Sequence, residues 1–492
     1  MHSTGSDAKA TLHTIIIGSG FAGIGMAVAL KKAGVGDFLI LEKQNDVGGV
    51  WRDNTYPGAA CDVPSHLYSF SFEPNPNWSR VFAPQAEIYQ YLKHCAEKYG
   101  LLPSIRFGCE VAHAHYHADL ALWTVTLRGG QVLQARFLVT ATGQLSRPVY
   151  PKLEGMAHFK GHVHHSADWD HRYDLTGKRV AVIGTGASAI QFVPAIAGQV
   201  RQLSVFQRSA AYILPRPDGP YAGWRKAMFK HLPWTMALHR ARIYAQYEGR
   251  ALAFIRIKAL MALAGGLPFK KLLHRQVPDP ALRARLTPDY PIGCKRILLS
   301  NEYLATMVKP NVNLVTQGIR RITADGIETT DGQHHAVDAI IYGTGFRATE
   351  FLAPMRVTGL GGRDLNEAWR EGAESYLGMT VTGFPNLYMT TGPNGPAALI
   401  VLGGTVGAAL LQSPMSAFKQ GVITPNEQMF VRWNWDLPTS VKAAEHRVAV
   451  GGAVKQPVSL TLDEIAAFER SELKSPGDVL VFLPGEREIR DA

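Results

Sequence analysis

The stretch Thr14-Ile-Ile-Ile17-Gly18-Ser-Gly20-Phe-Ala22-Gly23 decides how the rest of the chain is read. A short β-branched run passes directly into G-x-G-x-x-G, and Ala22 to Ala33 continues in a helical pattern. Without side chains at Gly18, Gly20 and Gly23, and with small Ala22 beside them, a pyrophosphate can reach backbone N–H groups at a helix N-terminus. A second strand, Phe38 to Leu41, then ends in Glu42. A carboxylate at this offset accepts hydrogen bonds from both hydroxyls of an adenosine ribose that carries no phosphate.

The arrangement recurs. Arg179 to Ile183 leads into Gly184-Thr185-Gly186-Ala-Ser188-Ala189, a helix through Ala197 and the strand Leu203 to Phe206. This strand ends in Gln207-Arg208-Ser209, which offers a guanidinium and a hydroxyl in place of a carboxylate. Those groups suit a 2′-phosphate and leave no acceptor for a free ribose diol, so NADPH is expected here over NADH. Phe137 to Gly143, Ala336 to Tyr342 and Asn386 to Thr390 read as further strands with glycine-rich ends, the last two running into Gly343-Thr-Gly345 and Gly392-Pro-Asn394-Gly395.

The expected fold class is α/β, with two Rossmann-like dinucleotide-binding domains, the second inserted into the first, and a helical subdomain. The boundaries expected are 1–150 and 343–492 for the first domain, 151–211 and 290–342 for the second, and 212–289 for the helical insertion. A chain of 492 residues, 46% hydrophobic and 18% charged, can bury cores of that number. No apolar run reaches the ~20 residues needed to span a bilayer, and MHSTGSDAKA lacks the apolar core of a secretory signal, so a cytoplasmic protein is expected. Cys61, Cys95, Cys109 and Cys294 form no C-x-x-C pair, which argues against a disulfide framework, a structural metal and a flavin disulfide reductase. The chain carries no nucleic-acid motif.

Between the two glycine motifs stands Phe159-Lys-Gly161-His-Val-His-His165-Ser-Ala-Asp-Trp169-Asp170, preceded by Gly48-Gly49-Val-Trp51, Tyr56-Pro57-Gly58 and Asp62. In these segments, and over about residues 12 to 395, the sequence resembles the type I Baeyer–Villiger monooxygenases, whose fingerprint is F-x-G-x-x-x-H-x-x-x-W-[PD]. The fingerprint accounts for the histidines at 162, 164 and 165, and no metal site is expected. His165 and Trp169 read as packing groups in a linker between the domains. The resemblance implies FAD in the first nucleotide fold, with Glu42, Gly49, Trp51, Asp62, Tyr68 and Val111 against it. It implies NADP contacts from Thr185, Gly186, Gln191, Arg208, Ser209 and Lys295.

The resemblance also assigns Asp62 and Arg296 to the reacting centre, Arg296 lying in Tyr290-Pro-Ile-Gly-Cys-Lys295-Arg296. The implied reaction takes NADPH, O2 and a ketone to an ester or lactone, with sulfides as a further substrate class. Arg296 would stabilise negative charge developing on oxygen without needing a proton of its own, and Asp62 would orient it. Two rival readings stay open: an N- or S-oxygenating flavin monooxygenase, and a flavin-bearing, membrane-associated protein with impaired turnover.

Residues 221 to 285 hold thirteen basic and two acidic residues, a surplus equal to the formal charge of the whole chain, +11. Leu252, Ile255, Ala259 and Leu260 recur between them at helical spacing, with aromatic Trp224, Phe229, Trp234, Tyr244 and Phe254. Core-facing helices with solvated charges are expected, while weak peripheral membrane contact also fits a basic amphipathic surface. After Gly395 the sequence departs from the family: Pro396 to Leu411 is a Gly- and Ala-rich apolar run, and only Leu483-Pro484-Gly485 matches the usual close.

Overall fold

The computed structural model describes residues 11–255, 262–376, 378–393, 447–450 and 458–461. Asn394, Gly395, Ala259, Leu260, the run Pro396 to Leu411 and Leu483-Pro484-Gly485 lie outside the described residues, as do the side chains of Leu252, Phe254 and Ile255.

The chain opens with β1 (Leu12–Ile17), α1 (Phe21–Lys32), β2 (Phe38–Leu41), a short α2 (Val50–Asp53) and α3 (Gln85–Lys98). Then come β3 (Ile105–Arg106), β4 (Val111–His117), β5 (Leu122–Leu127) and β6 (Val132–Thr140). In the middle lie β7 (His162–His165), β8 (Arg179–Ile183), α4 (Ala189–Ile196), β9 (Gln202–Phe206) and β10 (Ile213–Leu214). Helices α5 (Gly223–His231), α6 (Pro233–Ile255), α7 (Leu267–Gln276) and α8 (Pro280–Arg285) follow. The remaining strands are β11 (Leu298–Leu299), β12 (Val312–Val315), β13 (Ile319–Ile322), β14 (Gly326–Thr329), β15 (His334–Ala336), β16 (Ala339–Tyr342), β17 (Arg356–Thr358), β18 (Leu387–Met389), β19 (Arg447–Val450) and β20 (Val458–Thr461).

The first sheet runs β17-β4-β5-β6-β1-β2-β3, with β18 also on β6. Its centre is β-branched and dry, since Ile15, Ile16, Ile40, Leu138 and Val139 are fully buried. Helices α1 and α3 cover one face, and Trp123, Val357 and Phe384 fill the other. β17 and β18, from the far end of the chain, therefore complete a sheet begun at Leu12. Close packing of α1 on β1 depends on Gly23, where a Cβ would lie 1.9 Å from the Gly18 carbonyl oxygen.

The second sheet, β12-β9-β8-β16-β7, is parallel throughout and covered on both faces, as all-parallel sheets require. Phe192 and Val193 of α4 are fully buried beneath it, each contributing about 1.5–3 kcal/mol relative to exposure.

Two expectations are corrected. The strand expected over Ala336 to Tyr342 is two elements: β15 belongs to a three-stranded antiparallel sheet, and β16 starts only at Ala339. Asp338 makes the break, because its carboxylate accepts from the Arg179 backbone N–H at 2.8 Å and from the Arg179 guanidinium at 2.7 Å. The segment expected as an interdomain linker at His165 is β7, an edge strand of the second sheet, with Tyr342 opposite His165. Gly161 permits this approach, since a Cβ there would meet the Asp338 carbonyl oxygen at 2.5 Å.

The helical insertion joins the two cores. Tyr221, Phe229 and Met236 pack into the core under the first sheet, while Phe269, Leu272 and Leu273 of α7 pack under the second. Here the expectation of solvated charges fails in part: Arg240 points inward and donates to the carbonyl oxygens of His66 (2.8 Å) and Ser69 (3.2 Å). Its neighbour His239 takes a hydrogen bond from the Arg225 guanidinium at Nδ1 and lies 3.1 Å from the Tyr221 hydroxyl at Nε2.

Burial first, then Arg225 and Arg242, depress His239 to about 4; burial, then His239, Arg225 and Arg240, depress His66 to about 3. Both rings are thus neutral when folded, whereas in the unfolded chain they protonate near 6.5. The unfolded state takes up protons first, so their contribution to stability is complete above about pH 6.5 and erodes as the pH falls toward about 4 and then about 3. Melting temperature measured from pH 7.5 down to pH 5 should decline in the wild type. His66→Phe, which cannot take up that proton, should flatten the decline, and equal slopes would contradict it.

Candidate active site

The glycine turn after β1 forms a cradle. Gly20 precedes α1 with no side chain capping the helix, and a Cβ on Gly49 would come within 3.1 Å of Gly20 Cα. Backbone N–H groups at an uncapped helix N-terminus, reached through two facing glycines, fit a pyrophosphate. Glu42 stands at the end of β2 and is 4% exposed. Its carboxylate accepts from the Ser19 N–H (2.9 Å), the Ser19 hydroxyl (2.7 Å) and the Gln44 N–H (3.0 Å), and pairs with Arg52 at 3.3 Å. A ribose reaching Glu42 therefore exchanges with these donors, the rotatable Ser19 hydroxyl being the simplest to displace. Trp51 donates to the Tyr68 hydroxyl at 2.9 Å. The Val111 side chain is buried in the core with Trp123.

In the second fold, the Thr185 hydroxyl donates to the Ser209 carbonyl at 3.4 Å and Lys295 Nζ donates to the Ser209 hydroxyl at 3.1 Å. Lys295 also lies over the Tyr290 ring at 4.4 Å, and Arg208 is exposed. Lys295 and Ser209, 86 residues apart, meet beside Arg208, the donors a 2′-phosphate calls for. Ser188 precedes α4 as an uncapped N-terminus, which begins at Ala189. Gln191 is placed differently from the other residues expected to hold the nicotinamide cofactor. Its amide accepts from the Tyr56 hydroxyl (2.9 Å) and donates to the Ala60 carbonyl (2.9 Å), clasping the second fold to a loop of the first.

That loop carries Asp62, and Arg296 donates to its carboxylate across 234 residues of sequence. Both partners are fixed from behind. The Arg216 guanidinium donates to the Cys61 carbonyl at 3.1 Å, and Gln191 holds Ala60. On the other side, the Tyr212 hydroxyl donates to the Tyr290 carbonyl, the Tyr290 hydroxyl donates to the Ala210 carbonyl, and the chain enters β11, paired with β10, two residues after Arg296. Burial raises Tyr56, Cys61 and Tyr68 above their ordinary values, so these neighbours stay neutral and Asp62 supplies the negative charge that faces Arg296.

The fingerprint residues support the junction by packing. His165 is fully buried against Tyr150 and Phe346, its Nδ1 accepting from the Ala167 N–H at 3.0 Å, and Trp169 packs on Phe192 of α4. Among the described residues, no group of three or more His, Cys, Asp or Glu is arranged to hold a metal ion. All four cysteines are free.

A family profile described as pyridine nucleotide-disulphide oxidoreductase matches residues 15–212. A Baeyer–Villiger monooxygenase of Pseudomonas aeruginosa is 47% identical over 379 residues, which cover 77% of this chain and 72% of that protein. The chain belongs to the Baeyer–Villiger monooxygenases. A Streptomyces coelicolor Baeyer–Villiger monooxygenase is 46% identical over 380 residues, 77% of this chain and 73% of its own. Among solved structures, an oxidised steroid monooxygenase bound to NADP superposes with a TM-score of 0.74 at 34% identity, covering 84% of this chain and 86% of that one. A cyclohexanone monooxygenase bound to ε-caprolactone also gives 0.74, at 29% identity, covering 84% and 89%.

Within this Baeyer–Villiger monooxygenase, sequence reasoning missed Arg52, which pairs with Glu42, and Arg216, which holds the Asp62 loop. Arg52 directly follows Trp51 and was open to notice. Arg216 stands alone between Pro215 and Pro217, and nothing in its spacing points to Cys61.

Proposed function

We propose that the chain converts a ketone, O2, NADPH and a proton into an ester or lactone, oxidised NADP and water, with FAD in the first nucleotide fold and NADPH in the second. The observation that carries this reading is the Asp62–Arg296 pair, assembled where the loops of the two folds meet. FAD reduced by NADPH supplies the electrons that activate O2; the protein supplies the setting. Arg296 donates hydrogen bonds to the oxygen on which negative charge develops as the ketone carbonyl becomes tetrahedral. Its high basicity keeps the guanidinium charged throughout, so no proton has to be returned to it. Asp62 aims the guanidinium and offsets its charge, and Gln191 and Arg216 hold the carbonyls of Ala60 and Cys61 that directly precede it.

In this reading Gly18, Gly20, Ala22, Gly23, Gly49 and Glu42 hold FAD with Trp51 and Tyr68, and Val111 contributes backbone alone. Gly184, Thr185, Gly186, Ser188 and Ala189 take the pyrophosphate of NADPH, while Arg208, Ser209 and Lys295 take its 2′-phosphate. The domain division at 150, 211, 289 and 342 belongs to the same proposal. So does a cytoplasmic enzyme: among the described residues no helix is long and apolar enough to cross a membrane. A weak peripheral contact of the 221–285 helices with membranes would bring such an enzyme to lipophilic ketones.

Arg208→Ala is expected to weaken NADPH binding by about 1.5–3 kcal/mol, the worth of hydrogen bonds to a charged group, and to leave NADH nearly unaffected. Fluorescence titration with both nucleotides measures this, and equal losses would contradict the phosphate assignment. The reaction itself is tested by ketone-stimulated NADPH oxidation with the ester identified by chromatography. NADPH consumption without ester from cyclic, aryl and long-chain ketones would overturn it.

A further inference from the structure

Helix α6 buries Met236 and Ile243 against the protein and yet carries a second, largely apolar stripe on its outward side. Its inward side carries His239 and Arg240, satisfied by Tyr221, Arg225, His66 and Ser69. Its outward side presents Trp234, Ala237, Leu238, Ala241, Arg242, Ala245 and Gln246, spaced three and four apart and all exposed, with Trp234 65% and Leu238 64% accessible. Surface helices of soluble proteins place their polar residues on that side. α5, which packs on α6 through the stacked rings of Phe229 and His239, exposes Trp224 (70%), Ala227, Lys230 and His231, and Leu232 between the helices is exposed as well. From Gly219 to Tyr247 the sequence contains no acidic residue, and Lys230 and Arg242 lie among the exposed apolar groups.

We propose that this outward face of α5 and α6 docks on an anionic lipid bilayer. The inference deepens the membrane-contact reading of these helices and is independent of the oxygenation chemistry. Two observations select the occupant. Indole rings flanked by leucine and alanine match the headgroup boundary, where an aromatic ring has apolar and polar surroundings at once. Lysine and arginine within an acid-free segment complement phosphoserine headgroups, and each such cation near an anionic surface strengthens binding. A helix pair lying in the plane of the interface would sink its apolar side to the acyl boundary while its inner side stays on the enzyme. The docked face belongs to the insertion whose buried sides pack into the two nucleotide-fold cores.

The test is flotation of the full-length FAD-loaded enzyme with vesicles of phosphatidylcholine alone or of phosphatidylcholine mixed with phosphatidylserine. The wild type should float only with the mixed vesicles and be released by salt. Lys230→Glu combined with Arg242→Glu should lower the partition coefficient by about thirtyfold or more, from the loss of two surface cations. Trp234→Gln combined with Leu238→Gln should also abolish flotation. Without vesicles both variants should keep wild-type circular dichroism and ketone-dependent NADPH oxidation, because the altered side chains are exposed.

Failure of the wild type to float with either vesicle would overturn the proposal, whether the cause is a cover from elsewhere in the chain or the absence of affinity. Flotation unchanged in both variants would overturn it too. A concentration-dependent dimer in sedimentation velocity, lost in Trp234→Gln/Leu238→Gln and unaccompanied by flotation, would replace the bilayer with a second copy of the chain. Ester formation is read separately, so loss of one reading leaves the other standing.

Discussion

Arg296→Ala is expected to fold, retain FAD and lose ketone oxygenation by about 10²–10³, the range typical of removing one oxyanion donor. Folding and FAD binding should survive because Arg296 is exposed and hydrogen-bonds to Asp62, whereas the Gly18–Gly23 turn and Glu42 have their own partners. Hydride transfer from NADPH builds no oxyanion, so flavin bleaching under anaerobic mixing should slow far less than ester formation. Arg296→Lys keeps the charge but loses the planar fork that meets Asp62, and should restore only part of the rate. Stopped-flow absorbance follows the reduction and chromatography the ester. A wild-type ester yield from the alanine variant would remove Arg296 from the mechanism. If instead neither protein formed ester while both formed sulfoxide at the same rate, N- or S-oxygenation would become the better reading, since soft nucleophiles need no oxyanion partner.

Gly23→Ala is expected to be the most damaging single methyl group in the first fold. The added Cβ would sit 1.9 Å from the Gly18 carbonyl oxygen, a backbone atom that can yield only by moving the turn between β1 and α1. Overpacking of this kind costs about 1–3 kcal/mol where side chains can adjust, and more is expected here because backbone must shift. The same movement displaces the cradle of Gly20 and Gly49. The variant should therefore purify with little or no FAD and melt well below the wild type. Flavin absorbance per protein and thermal unfolding followed by circular dichroism measure both effects. As a control, Gly34→Ala, at a glycine with open space around its Cβ and a positive φ of 82°, should cost some backbone strain while FAD content stays normal. Wild-type flavin content in Gly23→Ala would contradict the packing argument.

Much of this protein is local physics. A β-branched run, a glycine turn and a helix are encoded within about twenty consecutive residues, twice over, which is why the edges of β1, β2, β8 and β9 agree with the sequence reading to within a residue or two. The ends of the nucleotide-binding strands are likewise legible, because Glu42 and the Arg208-Ser209 pair follow their strands directly. Where the reading slipped, a long-range partner decided: Asp338 breaks an apparently continuous strand only because Arg179 lies across from it. His165 seemed to sit in a linker because four residues, His162–His165, at a sheet edge carry too little periodicity to announce a strand.

By itself, the sequence determined that there are two dinucleotide folds, which ribose each prefers and, through the resemblance its fingerprint carries, the family. Each rests on residues close together along the chain, whose backbone geometry and side-chain chemistry are set locally. Tertiary structure alone decided that Gln191 clasps the Asp62 loop, that Arg216 holds it from behind and that α6 turns Arg240 inward and Trp234 outward. Such contacts join residues more than a hundred positions apart, and whether a polar side chain meets a carbonyl or water depends on which surface happens to be packed opposite it. Helical spacing says that two side chains share a face, while the direction of that face is decided by what the rest of the molecule leaves for it to cover.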